Sequence, residues 1–413
     1  MNTFYQLYAQ NPITICAPFK ILGTSPTPLP INPTPANSPY DPYDYYDGWS
    51  ALQGSSGILD VTTNTLKFFI IDGAIYDGAN GQYKDYAWSA SQPNPINIGS
   101  FYQPEGDGGS EQLIVPHPVN CNQYYIFGVA TFWNGDSGQK SLPGYTSSVP
   151  VYAIYDADLG QIINRGVWYE PTPSFLGLTI SNPIFTNTTT ANPANTNGDS
   201  QVTAADWFED CDMTTASIAG SKLLTDGSRI IACKMKNNLY SIKILSDGTL
   251  RYWKRFNHST IISASQTRAE LEMVFDNVTN TFKLAFESRI GFGNVDNYCV
   301  KYFEVSQNFL TLLNNQTINV PIVGSPSTVA KPIAGIEFSP NKNLIYFTCS
   351  TNEASPLTQP VSQRVYTIDL TNATYPVNPL AIPQTRQDQV QFGSIELALD
   401  GNMYFASATG LLD

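Results

Sequence analysis

Apolar and polar positions alternate along much of this chain, in short runs broken by Asn, Asp, Gly and Pro. Ile336-Glu337-Phe338 leads through Asn341 and Asn343 into Leu344-Ile345-Tyr346-Phe347-Thr348. Ile395-Glu396-Leu397 leads through Asp400-Gly401 into Met403-Tyr404-Phe405-Ala406, and Leu271-Glu272-Met273 leads through Asp276-Asn277 into Phe282-Lys283-Leu284-Ala285-Phe286. A period of two marks strands, and the polar breaks supply the backbone freedom of a tight turn. Three further units read the same way. They run from Ile58 to Ile70, from Leu113 to Phe127, and from Lys222 to Cys233. Most units are followed by a second apolar run, at Val151–Tyr155, Leu239–Ile242, Val300–Val305 and Val365–Leu370. Asp-Gly turns such as Asp226-Gly227 and Asp247-Gly248 are strong hairpin signals.

Two hairpins per unit make a four-stranded sheet. Sheets recurring every roughly 50–65 residues are the mark of a radial repeat. The pattern predicts an all-β protein, a β-propeller of seven four-stranded blades, with six as the alternative. The uncertainty in number sits between Leu113 and Lys222, where the spacing is about twice the usual and holds either a divergent blade or a long loop. Separate sandwich domains fit less well, because such domains carry about seven strands in about 100 residues. Residues 1–48 form an irregular segment with Pro26, Pro28, Pro30, Pro33, Pro35, Pro39 and Pro42. A strand at 4–8 or 13–17 is the candidate to complete the last blade. The propeller is expected over 49–413, with a polar insertion near 171–215.

Composition narrows the function. Of 413 residues 13% are charged, against about a quarter in ordinary domains. Asn, Ser, Thr and Gln carry the polarity instead, a surface common on secreted proteins. The net charge of −13 disfavours nucleic acid and anionic membranes as partners. No apolar run is long enough to cross a bilayer. The first residues lack a basic segment followed by an apolar one, so a signal peptide is expected to be absent or already removed. None of the six cysteines forms a CxxC pair, which removes the zinc and thioredoxin signatures. Cys233, Cys299 and Cys349 fall in expected strands and read as buried thiols. An even count also suits one or two disulfides outside the cytosol, with the pairing open.

Several segments in order resemble one family. They are Gln112-Leu-Ile-Val-Pro-His-Pro with Tyr124-Tyr-Ile-Phe, Val151-Tyr-Ala-Ile-Tyr-Asp with Asp158-Leu159-Gly160, Gly335-Ile-Glu-Phe-Ser-Pro-Asn-Lys-Asn-Leu-Ile-Tyr-Phe, and Gly393-Ser-Ile-Glu-Leu-Ala-Leu-Asp-Gly-Asn-Met-Tyr-Phe-Ala. The resemblance, over about residues 49–408, is to the propeller domain of gliding-motility-associated, type IX-secreted surface proteins of Bacteroidota. It implies an extracellular or cell-surface location and a role in adhesion. Such proteins usually continue into adhesive sandwich modules and a sorting domain; this chain stops at Asp413, so the resemblance implies a fragment or a relative without those parts.

Two local clusters carry candidate chemistry. Asn195, Asn197, Asp199, Thr203 and Asp206 place oxygen side chains at positions 1, 3, 5, 9 and 12 of a loop, with a helix-like Ala-Ala-Asp-Trp-Phe-Glu run after it. That spacing can wrap calcium, and it is similar to the dockerin loop. Asn at position 1 and Ser at position 6 depart from that pattern and lower the expected affinity. A hydrophilic loop with Thr203 capping a short helix is the structural alternative. Tyr40, Tyr43, Tyr45, Tyr46 and Trp49 stand among carboxylates, an arrangement that can stack on sugars or on a protein partner. The same rings can instead pack the segment onto the sheets.

Catalytic signatures are thin. Only His117 and His258 exist, and no G-x-S-x-G, HExxH or P-loop occurs. Ser246-Asp247-Gly248-Thr249 is similar to a sialidase Asp-box, which is itself structural. Five Asn-x-Ser/Thr sequons, at Asn187, Asn257, Asn277, Asn315 and Asn372, are near chance in so Asn-rich a chain. The expected function is therefore non-enzymatic, a protein- or glycan-binding module of the cell surface. A polysaccharide-active propeller hydrolase or lyase is one alternative, since many Asp and Glu lie in loops. A subunit of an extracellular filament or viral fibre is the other.

Overall fold

The computed structural model describes residues 14–16, 19–21, 26–31, 46–48, 54–60, 63, 65–87, 112–133, 146–169, 183–185, 210, 217–258, 270–290, 297–320, 333–349, 365–380, 395–397, 401–407 and 410–412. All 26 elements of those residues are β-strands. The chain divides into two compact units, Met1–Phe256 and Asn257–Asp413, a division that no composition shift announces.

The first unit opens with a three-stranded sheet of β1 (Thr14–Cys16), β2 (Phe19–Ile21) and β3 (Pro26–Pro28). Three four-stranded meanders follow. They are β4 (Ser55–Asp60), β5 (Thr65–Ile71), β6 (Ala74–Asp77) and β7 (Tyr83–Tyr86); β8 (Leu113–Pro116), β9 (Gln123–Trp133), β10 (Thr146–Asp156) and β11 (Gln161–Val167); and β12 (Ser217–Gly220), β13 (Arg229–Lys234), β14 (Asn238–Ile244) and β15 (Leu250–Asn257). The second unit holds two more four-stranded meanders. They are β16 (Leu271–Asp276), β17 (Thr281–Ile290), β18 (Asn297–Ser306) and β19 (Leu312–Asn319); then β20 (Ile333–Phe338), β21 (Leu344–Cys349), β22 (Val365–Asp369) and β23 (Val377–Pro379). A three-stranded sheet of β24 (Ile395–Leu397), β25 (Met403–Ser407) and β26 (Gly410–Leu412) ends it.

Each of the six units visible in the sequence falls in one sheet, but in the unit expected from Lys222 to Cys233 the first strand is Ser217–Gly220, and Lys222, Leu223 and Leu224 belong to the link that leads into β13. Between Leu113 and Lys222, β10 and β11 complete the second meander, and most of 170–216, where the spacing is wide, lies outside the described residues. The strand expected at 13–17 appears as β1, and among the described residues it pairs with β2. Proline does not prevent this pairing, because Pro26 and Pro28 sit on an edge strand where a missing N–H costs no ladder bond. The other candidate, residues 4–8, lies outside the described residues.

Stacking buries both faces of a sheet. All six residues of β13 are accordingly buried, whereas the outer strand β19 alternates between covered and exposed positions. Phe68, Tyr125, Phe127, Ile231 and Tyr240 belong to a core that spans the three meanders of the first unit. Ile336, Phe338, Ile345 and Phe347 anchor the core of the second.

The ladders share one irregularity. Register shifts leave one extra residue beside a tight turn at Lys67, Lys84, Ile163 and Leu313. A bulge turns its extra residue out of the ladder. This accounts for Ile163 and Leu313, which remain 44% and 55% exposed despite being large and apolar.

Candidate functional site

A four-stranded meander has two unlike ends. At one end the strands are joined by 61–64, 78–82, 117–122, 157–160, 221–228 and 245–249 in the first unit, and by 277–280, 307–311, 339–343, 370–376 and 398–402 in the second. At the other end stand the long connections 87–112, 134–145, 168–216, 258–270, 320–332, 350–364 and 380–394, with 291–296 of middling length. Short links there are confined to 72–73, 235–237 and 408–409.

The turn end is built by local chemistry. An Asp or Asn side chain accepts backbone N–H bonds from residues just ahead of it, which closes the turn without help from afar. Asp156 accepts from Asp158 and Leu159 at 3.1 Å, Asp247 from Thr249 at 2.8 Å, and Asp276 from Val278 at 2.9 Å. Asn341 accepts from Asn343 at 3.2 Å, and Asn372 from Thr374 at 3.0 Å. Neighbouring turns are then tied together. Lys67 Nζ donates to Asn122 Oδ1 at 3.2 Å and to the Tyr124 hydroxyl at 3.1 Å, joining the first two meanders. The Tyr125 hydroxyl donates to the Gly248 carbonyl, joining the second and third. In the second unit Lys283 Nζ donates to the Lys342 carbonyl at 3.1 Å.

His117 belongs to this end. Its ring stacks on Tyr125 at 5.1 Å, and Nδ1 accepts the N–H groups of Val119 and Asn120 at 3.2 Å each. A nitrogen that accepts two backbone bonds must be unprotonated, and burial lowers the ring's pKa further. His117 is a turn support. His258 is buried with its ring 5.2 Å from Phe286.

The long-connection end is held by anchors set further apart in sequence. Ile184 and Phe185 donate to the carbonyls of Val167 and Trp168 at 3.1 and 2.9 Å, and Phe185 packs its ring 4.6 Å from Tyr252. The other anchor of the same connection is Asp210. Its carboxylate accepts from the Asn237 N–H at 2.8 Å, from Asn238 Nδ2 at 2.6 Å and from the Tyr240 hydroxyl at 2.5 Å. Burial raises the Asp210 pKa against the pull of these three donors. The 168–216 connection is therefore pinned at 183–185 and again at 210, and the interval 186–209 spans the two pins. Other carboxylates secure backbone too. Glu270 accepts from the Ile336 N–H at 2.7 Å, Glu337 from the Leu397 N–H at 3.2 Å, and Asp72 from the Gly54 N–H at 3.0 Å. Asp85 accepts from the Ile162 N–H at 2.6 Å and pairs with Arg165 at 3.1 Å.

The residues singled out in the sequence divide sharply. Tyr46 is fully buried, edge-on to Phe69 at 5.4 Å, and its N–H donates to the Gly81 carbonyl at 2.7 Å. It packs the core of the first meander and offers no ring to a ligand. Tyr40, Tyr43, Tyr45 and Trp49 lie outside the described residues, as do Asn195, Asn197, Asp199, Thr203 and Asp206. Among the described residues no His, Cys, Asp and Glu group suits a metal ion, and no helix is long and apolar enough to cross a membrane. Cys233 and Cys299 are buried free thiols, and Cys121 is free and exposed. Asp210 escaped the sequence reading. It sits in an acidic run, Glu209-Asp210-Cys211-Asp212, where nothing local separates an anchor from a solvated charge.

No protein-family model and no curated protein matches the chain. Among solved structures it is similar to Raptor from Chaetomium thermophilum, with 8% identity, a TM-score of 0.36, and coverage of 73% of this chain and 19% of that one. It is also similar to an endo-1,4-β-xylanase from Bacteroides thetaiotaomicron, with 12% identity, a TM-score of 0.33, and coverage of 75% and 88%. A third is a GH43 β-1,3-galactosidase, with 11% identity, a TM-score of 0.31, and coverage of 82% and 86%. The chain spans about a fifth of Raptor's length. Likenesses of this size assign neither a family nor an activity.

Proposed function

We propose that this chain is a β-propeller of the cell surface or secreted space that binds a protein or glycan ligand without transforming it, through its long connections. In this reading the six sheets within 49–413 are blades, the last of them three-stranded, which is the smaller of the two blade numbers expected, and the 14–28 sheet stands before them. The carrying observation is the contrast between the sheet ends. Short self-closed turns leave little surface to vary, whereas long connections on a rigid frame are where recognition residues collect. The low charge, the Asn- and Thr-rich composition and the resemblance to type IX-secreted surface propellers support the location. The described carboxylates named above are bonded to backbone or to structural side chains, which favours binding over a hydrolytic pair.

The test is a glycan array with parallel assays for sugar release, using the intact chain and a variant with 134–145 and 350–364 each replaced by a two-residue turn. Binding by the intact chain that falls at least tenfold in the shortened variant, with no sugar released, is the expected result. Release of reducing ends would replace this proposal with a hydrolase. Unchanged binding after shortening would remove the long-connection end from it.

A further inference from the structure

An outer strand in a meander has one unpaired edge, and such an edge is a template for another strand unless something blunts it. Most outer strands here are blunted. Strand β7 is four residues long and carries Lys84 and Asp85; β11 carries a bulge and Arg165. Strand β15 carries Arg251, Lys254 and Arg255, and β23 is three residues long and ends at Pro379. Strand β19 is different. Its eight residues, Leu-Leu-Asn-Asn-Gln-Thr-Ile-Asn, include no charge and no proline. Past the bulge at Leu313, Asn314 to Asn319 pair in unbroken register with β18. The sheet order ends at β19, and the isolated bridge found among the described residues lies elsewhere, at Tyr169 and Phe185.

One side of β19 is committed to its own unit. Asn314 Nδ2 donates to the Tyr375 hydroxyl at 3.0 Å, and Ile318 is buried in the core. The other side presents Leu313, Asn315, Thr317 and Asn319 to solvent. Thr317 Oγ1 accepts from the buried Lys301 Nζ at 2.5 Å; the side chains of the strip itself carry no charge, and its outer backbone groups pair with no strand among the described residues.

From this we infer that β19 is a docking edge for a second copy of this chain, which adds its own β19 antiparallel and extends the sheet. Charge argues for this occupant. Two chains of net charge −13 repel, and the repulsion is least where neither presents a charged side chain. The strand also complements itself. A two-fold axis at Gln316 or at Thr317 sets Asn315 of one copy opposite Thr317 or Asn319 of the other, so amides and hydroxyls meet their own kind. A pair of short strands buries little surface, so the association is weak and concentration-dependent.

Sedimentation velocity on the full chain, from about 1 to 500 µM, tests this, with dissociation expected in the tens to hundreds of micromolar. Asn315→Lys and Asn319→Lys, both at solvent-facing positions, should each weaken association at least tenfold and leave the melting temperature unchanged. Asn277→Lys, in a turn of the same sheet, should leave association as it was. Hydrogen exchange supplies a second readout, with protection at 314–319 rising with concentration in the parent alone. A parent that stays monomeric throughout, edge variants that associate like the parent, or association abolished by Asn277→Lys would each overturn the inference.

Discussion

The two ends of each meander obey different rules. At the turn end, the bonds that close each turn join residues two or three apart, as Asp247 to Thr249 or Asn341 to Asn343, and longer bonds only tie finished turns together. At the long-connection end the shaping bonds reach across the sequence, from Asp210 to Tyr240 or from Glu270 to Ile336. The first end is specified by its own few residues and tolerates little change. The second is fixed by a few anchors set far apart in sequence. Local and long-range specification are thereby separated within one repeat, and the proposed ligand site follows the long connections.

The sharpest way to break this contrast is at a turn glycine. Gly248 has φ +87°, and a Cβ there would lie 2.4 Å from Cε1 of His117, within the stack that Tyr125 completes. Gly248→Ala should destabilise the protein by about 3 kcal/mol, from strain and overpacking together, read as a shift in the denaturant midpoint. A loss below about 0.5 kcal/mol would show that the turn end is softer than its geometry.

Acid tests the same end by another route. Burial disfavours the Asp276 charge, but Lys283 at 2.9 Å, the Val278 N–H and the Thr279 hydroxyl outweigh it and hold the carboxyl at about 2, against 3.8 in the unfolded chain. A depressed carboxylate pKa stabilises the folded state above the unfolded value, and this contribution disappears as pH falls from about 4 to about 2. Asp276→Asn should therefore cost up to about 2 kcal/mol at neutral pH and flatten the decline of stability below pH 4. An unaltered acid profile in the variant would assign that decline to other groups.

The smallest effect belongs to the long-connection end. If the 195–206 loop holds calcium, chelation should lower stability by about 1 kcal/mol or less, because the loop has lost one carboxylate and its turn glycine. Asp199→Ala should abolish the response. An identical melting temperature with and without chelator would remove calcium as a candidate for this loop.

What could be read in the sequence follows the same division. Five of the six strand–turn–strand units were legible, because alternation and Asp-Gly or Asn-containing turns are local signals; in the sixth, Lys222–Leu224 read as a strand but forms the link after β12. The buried thiols of Cys233 and Cys299 were legible for the same reason. Register was not. The bulges at Lys84, Ile163 and Leu313 depend on which residue a partner strand offers, and no single strand carries that information. Tyr46 was misplaced because its environment, Phe69 and Tyr76, lies more than twenty positions away. Asp210 was invisible because its three donors belong to the link between β13 and β14 and to the start of β14.

The twin pins on the 168–216 connection carry an evolutionary consequence. Phe185 and Asp210 fasten the chain on both sides of 186–209, so the strands before and after it keep their places whatever the interval contains. On the proposed reading that interval is a cassette, one in which selection could explore recognition without first renegotiating the architecture.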